Sequence, residues 1–275
     1  MRRNTAAIVL TFAAVLLLPA EAVSAEWLQF DTDHFRIIYE PDEEPVAAEL
    51  ARFADDAYEE LSGYLGVQMD ERVPVVIRGE TGGANGYFTF LPTRIVIYSA
   101  TPSTPILHPN LDEWLRLVFV HELVHYFQIA EPNGWGAVSA VLGPGARLLN
   151  LVFMPRWLAE GISIHAETRF TEAGRGRSPV FEMQYVAAVL ADAFWSFDQN
   201  IYGSDFAPRS RPYVGGYVIV DYIIRTYGID RFMALSREYL RHPLLGIRRA
   251  VRRVLGVDVD DFYTALLSDL EDSYG

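Results

Sequence analysis

Residues 118–128, VFVHELVHYFQ, place two histidines and a glutamate in a run that is otherwise apolar. His121 and His125 are four residues apart, so in a helix both imidazoles project from one face, one turn apart. Two imidazole nitrogens at that spacing can hold one Zn²⁺ at about 2.0–2.1 Å. The alternative is a buried helix whose histidines are satisfied by hydrogen bonds, but burying these polar groups among Val, Phe and Leu without partners is costly. The pattern therefore favours a metal site on this helix.

Two glutamates are candidates to complete such a site. Glu122 directly follows the first histidine, so it is rotated off the histidine pair yet stays close to it. From there its carboxylate can take a proton from water at the metal without being a ligand. A catalytic zinc also needs a third protein ligand and an open fourth position. The best candidate for that ligand is Glu160 in the segment PRWLAEG, whose apolar neighbours can face the core: Trp157, Leu158 and Ile162.

The composition restricts the partners and the chemistry. The 275-residue chain is 51% hydrophobic and 21% charged, which is typical of a globular protein with a substantial core. Its net charge of −13 comes from acidic residues spread along the chain, which argues against nucleic acid or an anionic membrane surface as the main partner. Cysteine is absent, so thiolate catalysis and cysteine zinc ligands are excluded.

Residues 1–25 are predicted to be a secretory signal peptide. Arg2 and Arg3 give a positive start, an apolar stretch follows at 6–18, and Val23-Ser24-Ala25 is a small-residue cleavage site. No other apolar run reaches the roughly 18 residues that a membrane-spanning helix needs. We therefore expect an exported protein, periplasmic or secreted, with no transmembrane segment in the mature chain.

The rest of the chain is predicted to have an α+β fold. Strand patterns occupy residues 27–39, 73–77, 87–90 and 94–98, and a helical pattern covers residues 42–65. From Asn110, a possible helix cap, the pattern is helical, with segments at 110–130, from Pro155 onward, and at 180–194, 213–227, 229–241 and 257–272. This divides the mature chain into a β-rich part, 26–109, and a helical part, 110–275. The apolar segment 133–154, NGWGAVSAVLGPGARLLNLVFM, is broken by Gly and Pro. We interpret it as a packed loop or, alternatively, as a mobile flap over a cleft.

HELVH followed by the glutamate of WLAEG resembles the gluzincin metallopeptidases, most closely the peptidase MA-like group of exported bacterial proteins. ANGY at 84–87, GRGRS at 174–178 and YVGGY at 213–217 are further similarities to that group. The resemblance implies a thermolysin-like α+β zincin, with residues 26–275 forming one catalytic domain. It also implies a ligand set of His121, His125 and Glu160 for Zn²⁺, with Glu122 as the general base.

The resemblance suggests further site residues. Gluzincins commonly use a tyrosine or histidine to stabilise the oxyanion, and Tyr213 fits that role, with Tyr217 as the alternative. Residues Ala84, Asn85 and Gly86 are similar to the glycine-rich strand that binds substrate in gluzincin aminopeptidases, but the glutamate that holds the substrate's free amine is missing. Some zincins orient a histidine with an aspartate four residues after the ligand glutamate. That position is Ile164 here, so the supporting carboxylate must come from elsewhere, such as Glu167.

These features predict zinc-dependent hydrolysis of a peptide or protein substrate, with the character of an endopeptidase. The alternative is a catalytically inactive, zinc-stabilised binding or assembly module of the cell envelope. An intact Glu122 argues against the alternative, because a structural zinc has no need of a general base. A glycosidase that uses paired carboxylates is a further alternative, but no motif in the sequence supports it.

Overall fold

A computed structural model describes residues 26–69, 71–79, 83, 85–100, 111–130, 147–203 and 208–275. The predicted signal peptide and the proposed cap at Asn110 lie outside these residues. Within them the chain has an α+β fold, with the strands in the N-terminal part and helices through the C-terminal part. The predicted order of strand-rich and helix-rich parts is therefore confirmed.

Five strands form one sheet in the order β1-β2-β3-β5-β4. The inner strands β2, β3 and β5 are parallel to one another, and the outer strands β1 and β4 pair antiparallel with their neighbours. Strand β4 is therefore an edge strand, with one side free of sheet pairing among the described residues. The strands are β1 (Leu28–Asp31), β2 (Phe35–Tyr39), β3 (Val73–Arg78), β4 (Asn85–Phe90) and β5 (Thr93–Tyr98).

The single strand predicted at 27–39 is wrong, because the structure has a tight hairpin of β1 and β2 there. The polar residues between the two strands make the turn, and they are fixed by Asp55. The backbone amides of Asp33 and His34 donate to its carboxylate at 3.1 and 3.0 Å. Turn-forming polar residues at this point outweigh the strand pattern on either side.

Two long helices cover the sheet. Helix α1 (Glu44–Leu65) ends at Gly66, whose φ of 66° is the left-handed conformation that favours glycine. Helix α2 (Leu111–Ala130) carries the two histidines and is buried on most of its surface, so it has little amphipathic character. It packs against α1 and the sheet, as in the edge-to-face contact of Phe119 with Phe35 at 5.2 Å between ring centroids. The core therefore holds the candidate metal helix from several sides.

The remaining helices form the C-terminal part. They are α3 (Arg147–Phe153), α4 (Arg156–Phe170), α5 (Pro179–Leu190), α6 (Phe197–Ile201), α7 (Arg211–Tyr227), α8 (Ile229–Arg241), α9 (Ile247–Leu255) and α10 (Val259–Tyr274). Short 3₁₀ turns occur at Pro41–Glu43, Arg175–Arg177 and Pro243–Leu245. No helix among the described residues is both long and apolar enough to cross a membrane.

Sequence patterns predicted the long helices well and the short ones poorly. The helix predicted at 229–241 is confirmed at both ends, and the one predicted at 257–272 begins two residues later. Helix α5 ends at Leu190, before the predicted end at 194. Helices α6 and α9 were not predicted. Helix α3 replaces part of the predicted packed loop, whose residues 133–146 lie outside the described part of the chain.

Helices α4 and α7 approach each other through two glycines. A Cβ atom on Gly161 would lie 2.5 Å from the carbonyl oxygen of Gly216, and one on Gly216 would lie 2.5 Å from the carbonyl oxygen of Trp157. Both distances are shorter than any ordinary contact, so only glycine permits this backbone-to-backbone packing. The glycines of WLAEG and YVGGY thus fix the distance between the helices that carry Glu160 and Tyr213.

A partly buried polar chain joins three helices. The hydroxyl of Tyr64 on α1 lies 2.9 Å from Nε2 of His165 on α4, whose Nδ1 lies 3.1 Å from Asp221 on α7. Arg225 donates to the other oxygen of Asp221 at 2.8 Å. Burial raises the pKa of Asp221, but His165 and Arg225 outweigh burial and lower it below its usual value. These contacts link helix α1 of the N-terminal part to helices α4 and α7 of the C-terminal part.

Candidate metal centre

Three predicted ligands converge at one point of the structure. Nε2 of His121 lies 3.2 Å from Nε2 of His125, and Oε2 of Glu160 lies 3.3 and 3.7 Å from these two nitrogens. The three residues form a group whose ligand atoms all lie within 4.8 Å of one another. Residues from two separate helices, α2 and α4, thus present two nitrogens and one oxygen to a common centre.

The spacing of these atoms fits a tetrahedral zinc ion. Bonds of about 2.0–2.1 Å at tetrahedral angles place neighbouring ligand atoms about 3.3 Å apart. The observed separations of 3.2, 3.3 and 3.7 Å differ from that value by a few tenths of an ångström. All three residues line a cleft of about 600 Å³. The donor set is therefore one that zinc accepts, and the space beside it is open to the cleft.

Local packing explains why Glu160 reaches the histidines. Pro155 precedes the first turn of α4, where its missing N–H is no loss. Trp157, Leu158 and Ile162 are buried as predicted. With these apolar side chains in the core and the Gly161 backbone against α7, the carboxylate of Glu160 is left facing α2.

Glu122 lies beside the ligand group without belonging to it. The Glu122 side chain is buried and lines the same cleft, but the three-residue group among the described residues does not include it. Strand β4 packs directly over it, because a Cβ atom on Gly86 would overlap the side chain of Val118 and lie 3.5 Å from Cγ of Glu122. A residue with a side chain at position 86 would push the edge strand away from the metal helix. This arrangement suits a proton acceptor next to bound substrate.

A second layer of polar contacts holds His121. Nδ1 of His121 lies 2.9 Å from Oε2 of Glu167 and 2.7 Å from Nη2 of Arg175. Because the Arg175 nitrogen is itself a donor, a hydrogen on Nδ1 can be donated only to the carboxylate. That tautomer leaves Nε2 free to bind a metal, as in carboxylate–histidine–zinc arrangements. The predicted support of the histidine by Glu167 is therefore present in the structure.

Arg175 completes this layer by pairing with Glu167. Its Nε and Nη2 donate to the two carboxylate oxygens at 2.6 and 2.8 Å, and its backbone amide donates to Oε1 at 3.0 Å. Burial raises the pKa of Glu167, but Arg175 and His121 lower it to about 2. Glu167 is therefore a carboxylate at neutral pH although its side chain is fully buried.

Opposite charges also face each other at the candidate site. Burial and Arg175 lower the pKa of His121, but the carboxylates of Glu160 and Glu167 raise it to about 9. Burial raises the pKa of Glu160, but the two histidines hold it well below its usual range. Glu160 is therefore ionised and ready to bind a cation, whereas His121 must lose a proton when a metal binds.

His125 has its own supporting contacts. Its Nδ1 lies 3.1 Å from Oε1 of Gln128 and 3.4 Å from Oγ of Ser163. Gln128 is fixed in turn, because its Nε2 donates to the carbonyl oxygen of Ala159 at 3.1 Å. Sequence reasoning missed Gln128, although its position three residues after His125 on the same helix was the available signal.

The two candidate tyrosines lie in different places. Tyr213, in the first turn of α7, lines the cleft, and burial together with the nearby Glu160 carboxylate raises its pKa. Its hydroxyl is therefore protonated and available as a donor. The hydroxyl of Tyr217 lies against Gly176 and lines a separate polar pocket with Asp221. The structure thus places Tyr213 at the candidate centre and Tyr217 away from it.

The predicted substrate strand lies along the cleft. Asn85 and Gly86 begin β4 and line the cleft, whereas Ala84 lies outside the described residues. The wall continues with apolar side chains from β4 and from helices α2 and α3: Phe88, Trp114, Leu117, Ile129 and Leu151. Arg156 and Arg175 add positive charge, and neither was singled out from the sequence as a site residue. Arg175 stands in GRGRS, a segment noted only for its similarity to the family.

Comparisons with known proteins add one relative. No family model matches the chain. The sequence is similar to an uncharacterized protein of Treponema pallidum (strain Nichols), with 24% identity over 217 residues. The matched region covers 77% of this chain and 19% of that protein, so the chain corresponds to about a fifth of the relative's length.

Proposed function

We propose that this chain is a zinc-dependent endopeptidase of the gluzincin type. The observation that carries the proposal is the convergence of His121, His125 and Glu160, with Glu122 beside them in the same cleft. The three donors match the spacing around a tetrahedral zinc ion. A site with three protein ligands, an open side and a neighbouring carboxylate is typical of catalytic zinc, whereas structural zinc sites are closed by four protein ligands.

A bound zinc ion would supply Lewis-acid chemistry, lowering the pKa of water and polarising the scissile carbonyl. Glu122 would accept the proton of the attacking water and deliver it to the leaving amine. Tyr213, protonated at neutral pH, would donate to the carbonyl oxygen as negative charge develops on it. Glu167 would keep a hydrogen on Nδ1 of His121 and so hold that ring in the productive tautomer.

The edge strand gives the cleft a means of binding extended peptides. Strand β4 has one side free of sheet partners among the described residues, and Asn85 and Gly86 line the cleft. An extended peptide can add to such an edge through main-chain hydrogen bonds. The chain lacks the glutamate with which gluzincin aminopeptidases hold a free amine, which favours cleavage within a peptide over removal of its first residue.

Metal content and hydrolysis together test this proposal. The purified protein is expected to hold close to one zinc per chain by elemental analysis, and Glu160→Ala to lose most of it. Glu122→Gln is expected to keep the zinc and lower peptide hydrolysis by roughly 10²–10⁴-fold. Glu271→Gln, an exposed glutamate on the last helix, is the matched control and should leave both quantities unchanged.

Other outcomes would point elsewhere. Full zinc occupancy in Glu160→Ala would show that the third-ligand assignment is wrong. A zinc-loaded wild type that cleaves no peptide of a broad library would favour the binding or assembly module instead.

We also propose that the protein is exported, to the periplasm or beyond it. The proposal rests on the charged, apolar and small-residue pattern of residues 1–25. Expression of the full sequence in a bacterium with a secretory system should yield a mature chain that begins at Glu26, as read by N-terminal sequencing. A cytoplasmic product that retains Met1 would contradict it.

A further inference from the structure

Arg156 occupies a distinctive position at the cleft. It is the first residue of α4, one turn before the ligand Glu160, and it lines the cleft that holds the candidate metal centre. Its guanidinium carbon lies 5.1 Å from the centroid of the Tyr213 ring, so the cation is held over an aromatic face. The side chain is otherwise exposed to solvent.

This arginine has no carboxylate partner within the described part of the chain. Arginines elsewhere do pair, as Arg249 does with Glu238 at 2.6 Å and Arg225 with Asp269 at 2.8 Å. The ordinary partner on a helix would be the residue four positions later. That residue is Glu160, whose carboxylate faces the two histidines at 3.3 and 3.7 Å instead.

Among the described residues that line the cleft, no negative charge remains to compensate Arg156 once a divalent ion is bound. The two positive charges of the ion offset the carboxylates of Glu122 and Glu160, and Glu167 offsets Arg175 through its two ion-pair contacts. The positive charge of Arg156 then remains. The chain as a whole carries a net charge of −13, which repels anions at long range. An anionic group can therefore be favoured at this point only through direct contact with the guanidinium.

We propose that Arg156 binds a carboxylate of the substrate next to the scissile bond and so determines specificity. This inference rests on the proposed peptidase function. A guanidinium presents a planar fork of donors that fits a carboxylate bidentately. Because Tyr213 already holds the Arg156 guanidinium, less conformational entropy is lost when the anion binds. The carboxylate can come from an Asp or Glu side chain or from the C-terminus of the peptide, and the two sources are separable by experiment.

The test uses two pairs of peptides that differ only in the anionic group. One pair has Glu or Gln at each position flanking the cleaved bond, and the other ends in a free carboxylate or an amide. The wild type is expected to show a kcat/KM roughly 10- to 100-fold higher for the acidic member of one pair. Arg156→Gln should abolish that preference, mainly through KM. Arg169→Gln is the matched control, because Arg169 is also an exposed arginine of α4 that lies 4.9 Å from a tyrosine ring, that of Tyr64.

A binding measurement separates this inference from the proposed function. Calorimetric titration of the same peptides into Glu122→Gln protein measures affinity without turnover. Tighter binding of an acidic peptide, lost in the Glu122→Gln/Arg156→Gln double variant, supports the role of Arg156 even if the wild type cleaves nothing and the peptidase proposal fails. Equal affinity and equal kcat/KM for the acidic and neutral members of both pairs would overturn it. A preference confined to peptides with a free C-terminus would support Arg156 as the anion site but indicate carboxypeptidase specificity instead of endopeptidase specificity.

Discussion

The ion pair of Glu167 and Arg175 leads to two predictions, one on metal affinity and one on the stability of the fold. Glu167 is fully buried and its carboxylate receives two bonds from the Arg175 side chain, one from the Arg175 backbone and one contact from Nδ1 of His121. Glu167→Gln keeps the shape of the side chain but removes its charge. It therefore weakens the support of His121 and at the same time removes the carboxylate that is hydrogen-bonded to the Arg175 guanidinium.

Typical magnitudes give the expected losses of metal affinity and of stability, and the exposure of Arg175 narrows the second. Loss of a carboxylate that orients a metal-binding histidine typically lowers metal affinity 10- to 100-fold, or about 1.4–2.7 kcal/mol. Removing one partner of a buried ion pair typically lowers the free energy of unfolding by about 3–5 kcal/mol. The Arg175 side chain retains 18% exposure, and water can partly solvate it. We therefore expect about 3 kcal/mol, at the low end of that range.

A double-mutant cycle in urea, carried out on the zinc-free protein, measures the folding effect, and a competitive zinc titration measures the affinity. Glu167→Gln/Arg175→Gln should be destabilised by less than the sum of the single variants, with a coupling of at least ~1 kcal/mol. The exposed bidentate pair Asp31 and Arg36 is the control and should show a much smaller coupling. Additive effects in the Glu167–Arg175 cycle, or unchanged zinc affinity in Glu167→Gln, would refute the reasoning.

Three further predictions concern Tyr213, Gly161 and Asp221. Tyr213→Phe should lower kcat by roughly 10²–10³-fold with little change in KM, zinc content or stability, whereas Tyr217→Phe should leave kcat unchanged. The reverse result would exchange the roles of the two tyrosines. Gly161→Ala should reduce the free energy of unfolding by about 1–3 kcal/mol and weaken zinc binding, because its Cβ would lie 2.5 Å from the Gly216 carbonyl oxygen. Unaltered thermal unfolding would contradict the close packing of the two helices at this point. Asp221→Asn should destabilise the protein at pH 7. The difference in free energy of unfolding from the wild type should shrink as pH falls below about 3.8, because the pKa of Asp221 is lowered in the folded protein and protonation of the carboxylate removes its stabilising contribution. A pH-independent difference in urea unfolding would count against this.

Local spacing made part of the candidate ligand set predictable from the sequence. The four-residue separation of His121 and His125 determines their common face whatever the rest of the fold does. The same reasoning covers Glu160 and Glu167, which are seven residues apart and so lie two turns apart on one side of α4. The structure brings Glu160 to the ligand group and Glu167 to Nδ1 of His121. Periodicity thus places each pair on one helix face, whereas the choice of Glu160 and Glu167 rested on the apolar neighbours of Glu160 and on the family resemblance.

Other features of the site depend on tertiary packing and could not be predicted from local sequence patterns. Arg175 lies in a short 3₁₀ turn with no periodic pattern, and it reaches His121 only because the chain turns back after α4. The backbone contact of Gly161 with Gly216 joins residues far apart in sequence, and no single segment indicates it. Helix α9, nine residues between Gly246 and Gly256, is a different case: its apolar residues Ile247, Ala250 and Val251 are buried at helical spacing, so its periodic signal was available in the sequence and was missed.

One narrow stripe of α4 carries four residues of the candidate site. At 100° per residue, Arg156, Glu160, Ser163 and Glu167 lie within a sector about 60° wide on the helix surface. From this stripe, Glu160 reaches both Nε2 atoms, Ser163 lies 3.4 Å from Nδ1 of His125, and Glu167 lies 2.9 Å from Nδ1 of His121. Arg156 faces the cleft at its end. Gly161 lies roughly 100° around the helix from Glu160 and is in backbone contact with α7. The rotation of α4 is therefore fixed by its glycine contact on one side, and that single rotation positions the proposed metal ligand, both histidine supports and the proposed anion site together.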